Sequence, residues 1–160
     1  MNRYREIREK LGLSREQASE LLETIDPSKL ERIESEKQPP SADDVRIMAE
    51  KYGAPEIMNF FCASQCPMGK KYVPRVEYDE LENTVLKIVA SLNSMNSKKD
   101  KLIEIAEDGS ISEDELIEFI NIEKELLRVS MAISKMEIWI EQMLTSGLID
   151  RDKYEALKDR

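Results

Sequence analysis

The chain has 160 residues, 41% hydrophobic and 36% charged, with five glycines, six prolines, two cysteines and no histidine, so it is expected to be helix-rich, with a core of one or two domains. No run of about 18 apolar residues offers a membrane span, and the charged start MNRYREIREK is not a signal peptide, so the expected address is the cytoplasm. The net charge of -9 is uneven: residues 1–75 hold 13 basic and 13 acidic side chains, residues 76–160 the other 11 and 20.

In chain order, residues 3–11 form a first helix with Tyr4, Ile7, Arg8 and Leu11 on one face. Ser14 is the N-cap candidate of a second helix over 14–23, Gln17 closes its capping box, and Ala18, Leu21 and Leu22 make its apolar face. After a break at 23–25, Asp26 as N-cap and Pro27 at the first helical position open a third helix over 26–36. Leu30 and Ile33 point inward from it, leaving Ser28, Lys29, Glu31 and Arg32 outside. Gln38, Pro39 and Pro40 stop it. Ser41, with Asp44 three residues on, caps a fourth helix lined by Val45, Met48, Ala49 and Tyr52 and ended by Gly53. A fifth, from Pro55 to about Ala63, carries Ile57, Met58, Phe60 and Phe61.

Residues 64–76 read as a linker, with two prolines, a glycine and three basic side chains, or as a stretch with structure of its own, since Cys62 and Cys66 flank its start. The next helix is expected over 78–95, where Leu81, Val85, Ile88, Leu92 and Met95 recur in steps of four and three. A polar break at 96–99 precedes a short helix to Glu107. Asp108, Gly109, Ser110 and Ile111 turn the chain, and Ser112, boxed with Glu115, starts the longest helix, reaching about Thr145. Phe119, Ile122, Leu126, Val129, Ile133, Met136, Ile140 and Met143 form its stripe, widened by Leu116, Ile120, Leu127, Met131 and Ile138. So wide a face points to a bundle packed on two sides, with the stripe packing either within the chain or against a partner chain. After Ser146 and Gly147, Asp150 caps a last helix with Tyr154 and Leu157 inward.

A short helix with a polar face beyond a tight turn is the layout of a helix-turn-helix reader of double-stranded DNA. The set Ile7, Arg8, Gly12, Leu13, Ser14, Glu16, Gln17, Ala18, Leu30, Ile33 and Glu34, with the run KQPPS at 37–41, resembles the Xre/Cro-type helix-turn-helix domain of phage and bacterial repressors over residues 3–60. The resemblance implies a five-helix, lambda-repressor-like domain in which Arg8 pairs with Glu34. It also implies that Arg15 and Lys29 hold phosphates and that Pro27, Ser28 and Arg32 approach base edges, with Gln17 and Lys37 in the same contact set. Three features depart from the family: one extra residue in the turn at 23–25, Glu36 where a glycine is favoured, and the acids Asp26, Glu31, Glu34 and Glu36 near the expected DNA face.

Other constellations are thinner. Cys62 and Cys66 allow a metal pooled across a dimer, a reversible disulfide or plain packing; zinc wants four ligands and the chain has only two thiols and no histidine. The stretch 104–115, EIAEDGSISEDE, matches the second half of a calcium loop, but Glu104 and Ala106 occupy its first and third places. No phosphate loop or nucleophile motif is present, so neither enzyme activity nor a cofactor is expected.

The reading is therefore an all-α chain: a DNA-binding domain over 1–63, a linker over 64–76, and a helical bundle with one long helix over 77–160. It is expected to regulate transcription as a homodimer joined through Phe119, Ile122, Leu126, Val129, Ile133, Met136 and Ile140. The competing reading is an adaptor or antirepressor that keeps the fold and binds a protein partner.

Overall fold

A computed structural model describes residues 2–107 and 109–158, so Asp108 of the expected turn lies outside the described residues. These residues form nine helices and no strand. Two compact units emerge: one holds the described residues up to Arg75 together with those from Ile140 onward, the other spans Val76–Trp139.

The first unit begins with α1 (Arg3–Lys10), capped by the Asn2 side chain, which accepts from the amides of Tyr4 and Arg5. Helix α2 (Arg15–Leu22) carries the full Ser14–Gln17 capping box. Helix α3 (Pro27–Glu34) has Asp26 as N-cap, accepting from the Ser28 and Lys29 amides. The Ser41–Asp44 box closes on α4 (Ala42–Tyr52), because the shorter aspartate still reaches the Ser41 amide at 2.9 Å. Helix α5 (Glu56–Ser64) completes the order. Tyr4, Ile7, Ala18, Leu22, Ile25, Leu30, Ile33, Val45, Met48, Tyr52 and Ile57 pack into one buried cluster, which is why each helix turns its apolar stripe inward.

The extra residue of the α2–α3 turn is absorbed by the backbone. Glu23 takes a left-handed φ of 61°, and Ile25 drops fully into the core while its carbonyl accepts from Ser19 Oγ at 2.7 Å. Glu36, in the place of the family's glycine, also sits at φ 61°.

The stretch expected as a linker is folded. A short helix, α6 (Gly69–Tyr72), doubles back on α5, and Asn59 Nδ2 donates to the Pro74 carbonyl at 3.0 Å. Gly69 is there for close approach rather than flexibility: a Cβ at this position would stand 2.2 Å from the Cys62 carbonyl oxygen. Residues 140–158 also group with this unit, where Leu144 is buried and Thr145 lies beside Gly53. They include α9 (Arg151–Lys158), whose Arg151 pairs with Glu141 at 2.6 Å.

The second unit is a two-helix hairpin of α7 (Leu81–Ala106) and α8 (Leu116–Thr145), the latter as far as Trp139. The break expected at 96–99 does not occur. Asn, Ser and Lys leave every backbone amide in place, and Ser97 Oγ donates back to the Ser94 carbonyl at 2.7 Å, so the helix runs through. The long helix starts at Leu116, later than Ser112. Glu115 reaches the Ser112 amide at 3.1 Å and accepts from the Ser112 hydroxyl at 2.7 Å, one turn ahead of the first helical residue.

The hairpin seam takes in part of the expected stripe. Thr84 and Ile105 of α7 and Ile122, Glu125 and Ala132 of α8 are buried. Ile122, expected to face a partner chain, is wholly enclosed within its own. Phe119, Val129, Met136 and Ile140 are half-buried, whereas Leu126 and Ile133 stay 47% and 50% exposed. No described helix is long and apolar enough to cross a membrane.

Candidate nucleic-acid interface

The α2–α3 pair owes its placement to one carboxylate. Glu34, with a side chain 0% exposed, accepts from Arg8 Nε at 2.6 Å and Arg8 Nη2 at 2.9 Å, a bidentate pair linking α1 to the end of α3. Arg8 Nη1 also donates to the Leu13 carbonyl at 2.6 Å, fixing the loop that enters α2. The hydrogen bond that Arg8 donates to Glu34 holds the guanidinium pKa above its ordinary value. Arg15 Nε donates to Glu34 Oε2 at 2.9 Å, so the residue expected on a phosphate already spends one donor inside the chain. Its side chain is 36% exposed.

Helical periodicity turns Leu30 and Ile33 into the core and leaves Pro27, Ser28 and Arg32 exposed on the outer face of α3. Among the described residues nothing covers Ser28 or Arg32. Lys29 is different: its ammonium donates to Asp44 Oδ1 at 2.7 Å, tying the start of α3 to the capping box of α4. Burial opposes ionisation of Asp44, yet the Lys29 bond and the Ser41 amide together hold its carboxyl below the ordinary value. Lys29 is thus a strut between helices, a role the sequence did not indicate because its partner lies 15 residues on.

Lys37, also expected on DNA, pairs with Glu31 at 3.0 Å across an exposed surface. Gln17 uses its side-chain carbonyl on the Ser14 amide at 2.9 Å and keeps its NH2 exposed. Arg32 Nε donates to Gln38 Oε1 at 3.1 Å, a neutral partner, and no ion pair of Arg32 occurs among the described residues. Its charge is therefore the least compensated on this face. The structure brings Gln17, Ser28, Arg32 and Lys37 to the outside of one helix pair, and draws Arg15 and Lys29 partly into it.

With this geometry the N-terminal part of the chain is a helix-turn-helix domain: residues 3–58 match the family model of that description. The match does not extend beyond those residues. No curated protein and no solved structure matches the chain.

Cys62 and Cys66 are free thiols, and no group of three or more potential metal ligands occurs among the described residues.

Proposed function

We propose that this protein is a sequence-specific transcriptional regulator that binds double-stranded DNA as a homodimer, with α3 in the major groove. The observation that carries the reading is the exposed Arg32, placed by Leu30 and Ile33 on the outer face of α3 and hydrogen-bonded to a neutral glutamine, with no ion pair among the described residues. A guanidinium so presented can take a guanine edge in two hydrogen bonds. Ser28 and Gln17 supply neutral donors nearby, Lys37 and the free donors of Arg15 supply phosphate contacts, and Pro27 sets the entry of the helix.

Two such helices must stand roughly 34 Å apart to enter successive major grooves, which requires a dimer. The hairpin of α7 and α8 offers the surface. Val85, Val89 and Leu92 on α7 and Leu126 and Ile133 on α8 are each at least 41% exposed. Helical geometry turns these positions to one side of the seam. Two hairpins joined there make a four-helix bundle, the smallest arrangement that buries such a face. Phe119, Val129, Met136 and Ile140 flank that contact as half-buried residues, and Ile122 supports it from within.

A protein-binding adaptor is the second reading, favoured by the three intrachain carboxylate partners of Arg15, Lys29 and Lys37. Selection of bound sequences from random DNA, followed by anisotropy across a salt series, separates the two. The regulator selects a consensus with two half-sites, and Arg32→Ala weakens it by about 1–3 kcal/mol while relaxing preference at one position in each half. No selected consensus, even at low salt, leaves the adaptor.

A further inference from the structure

We infer that the α7–α8 hairpin holds a binding site for a small amphipathic carboxylate, an acyl or aryl body carrying one anionic head. The observation is a cavity of about 340 Å³ lined by Lys87, Ala90 and Ser91 of α7 and Arg128, Met131 and Lys135 of α8. That volume lies at the low end for ligand pockets and suits a body of about eight carbons. The lining is mostly apolar in surface, and it sets alanine and methionine side chains beside three cations.

The charge is out of keeping with its surroundings. Between Val76 and Trp139 the sequence has seven basic and fifteen acidic residues, yet three of the seven meet at this one cavity. They are incompletely neutralised. Lys87 and Lys135 share a single carboxylate oxygen, Asp79 Oδ2, so two ammonium groups divide one negative charge. Lys87 first, then Lys135, holds the Asp79 carboxyl well below the usual carboxylate range, which keeps it charged and the lysines fixed. Arg128 gives Nη1 to Glu125 Oε1 at 2.6 Å and retains its other donors at a side chain 67% exposed.

A fatty or aromatic carboxylate would meet both halves of this arrangement: its body against Ala90 and Met131, its head against the surplus positive charge of Lys87 and Lys135 and the free donors of Arg128. Neutral or cationic analogues of the same shape lack the second half. The site also stays open in the proposed dimer. Lys87, Arg128 and Lys135 each stand two positions, about 200° of helix, beyond Val85, Leu126 and Ile133, and so open on the other side of the seam.

The test is calorimetric titration of the full-length protein with octanoate, octanol and octylamine in the absence of DNA, so that its outcome is independent of operator recognition. The expected result is saturable binding of one octanoate per chain, with octanol at least about tenfold weaker and no heat from octylamine. Arg128→Gln and Lys87→Gln, both at exposed side chains, each weaken octanoate by about tenfold and leave the helical circular dichroism unchanged. Equal binding of octanol and octanoate, an absence of saturation, or variants that bind like the wild type each overturn the proposal.

Discussion

Glu34 and Arg8 are joined end to end, with carboxylate oxygens 2.6 and 2.9 Å from two guanidinium nitrogens and neither side chain more than 7% exposed. Such a pair contributes little net attraction over an apolar pair of the same volume, because both charges leave water to form it. Its weight appears when one partner is lost. Glu34→Ala strands Arg8 in the core, loosens Arg15 and the α2 entry, and is expected to cost about 3–5 kcal/mol in urea unfolding. The double variant Arg8→Met with Glu34→Leu is expected to lose much less. A double variant as unstable as Glu34→Ala would show that the pair does more than satisfy itself.

Tyr52 gives an alkaline signature. Its hydroxyl is buried and has no hydrogen-bond partner among the described residues, and burial first, then the Glu34 charge, pushes its pKa up to about 12. A group that ionises less readily when folded supports the fold below its unfolded value, about 10, and that support is lost as pH climbs toward 12. Tyr52→Phe is expected to gain about 1 kcal/mol at neutral pH, because an orphaned hydroxyl is removed. It also flattens the loss of melting temperature between those two values. A Phe variant less stable than wild type at pH 7 contradicts this.

Glu36 holds a left-handed backbone at φ 61°, where the Lys37 and Gln38 amides both return to the Arg32 carbonyl at 2.9 and 3.1 Å. A side chain with a Cβ is strained there by about 1–2 kcal/mol, and glycine gives back part of that gain through its freer unfolded chain. Glu36→Gly is therefore expected to stabilise the domain by about 0.5–1 kcal/mol in thermal unfolding. Glu36→Ala, which keeps the Cβ, gains nothing.

Glu31 neutralises Lys37 on the exposed side of α3, and the Lys37 bond in turn lowers the Glu31 pKa. Glu31→Gln releases that lysine for phosphate. The expected result is tighter DNA binding at low salt, with a salt slope steeper by about one counterion per domain. A slope unchanged by the substitution would place Lys37 away from the duplex.

The proposed dimer face separates two kinds of residue on α8. Ile133→Glu, at a site 50% exposed, is expected to convert the dimer to monomer in light scattering with helicity intact. Ile122→Ala, at a fully buried site, is expected to cost about 2–5 kcal/mol of stability instead. A dimer that survives Ile133→Glu together with Leu126→Glu has its interface elsewhere.

Much of this molecule was legible in its sequence, because local rules decided it. The caps at Ser14, Asp26 and Ser41, the left-handed end at Gly53, and the inward Leu30 and Ile33 all follow from residue type and spacing within one or two helical turns. The Arg8–Glu34 pair came from family resemblance, since its 26-residue separation leaves no local trace.

Tertiary structure alone decided where the long side chains spend their charge and which apolar stripe is used. Lys29 reads as an exposed cation until α4 brings Asp44 against it, and residues 64–76 read as a linker until Gly69 lets the backbone meet Cys62. On α8 the periodicity offers more apolar positions than one hairpin can cover. Packing against α7 encloses Ile122 and leaves Leu126 and Ile133 in water. A sequence records which residues can be buried, but the number and direction of the neighbours set which of them are.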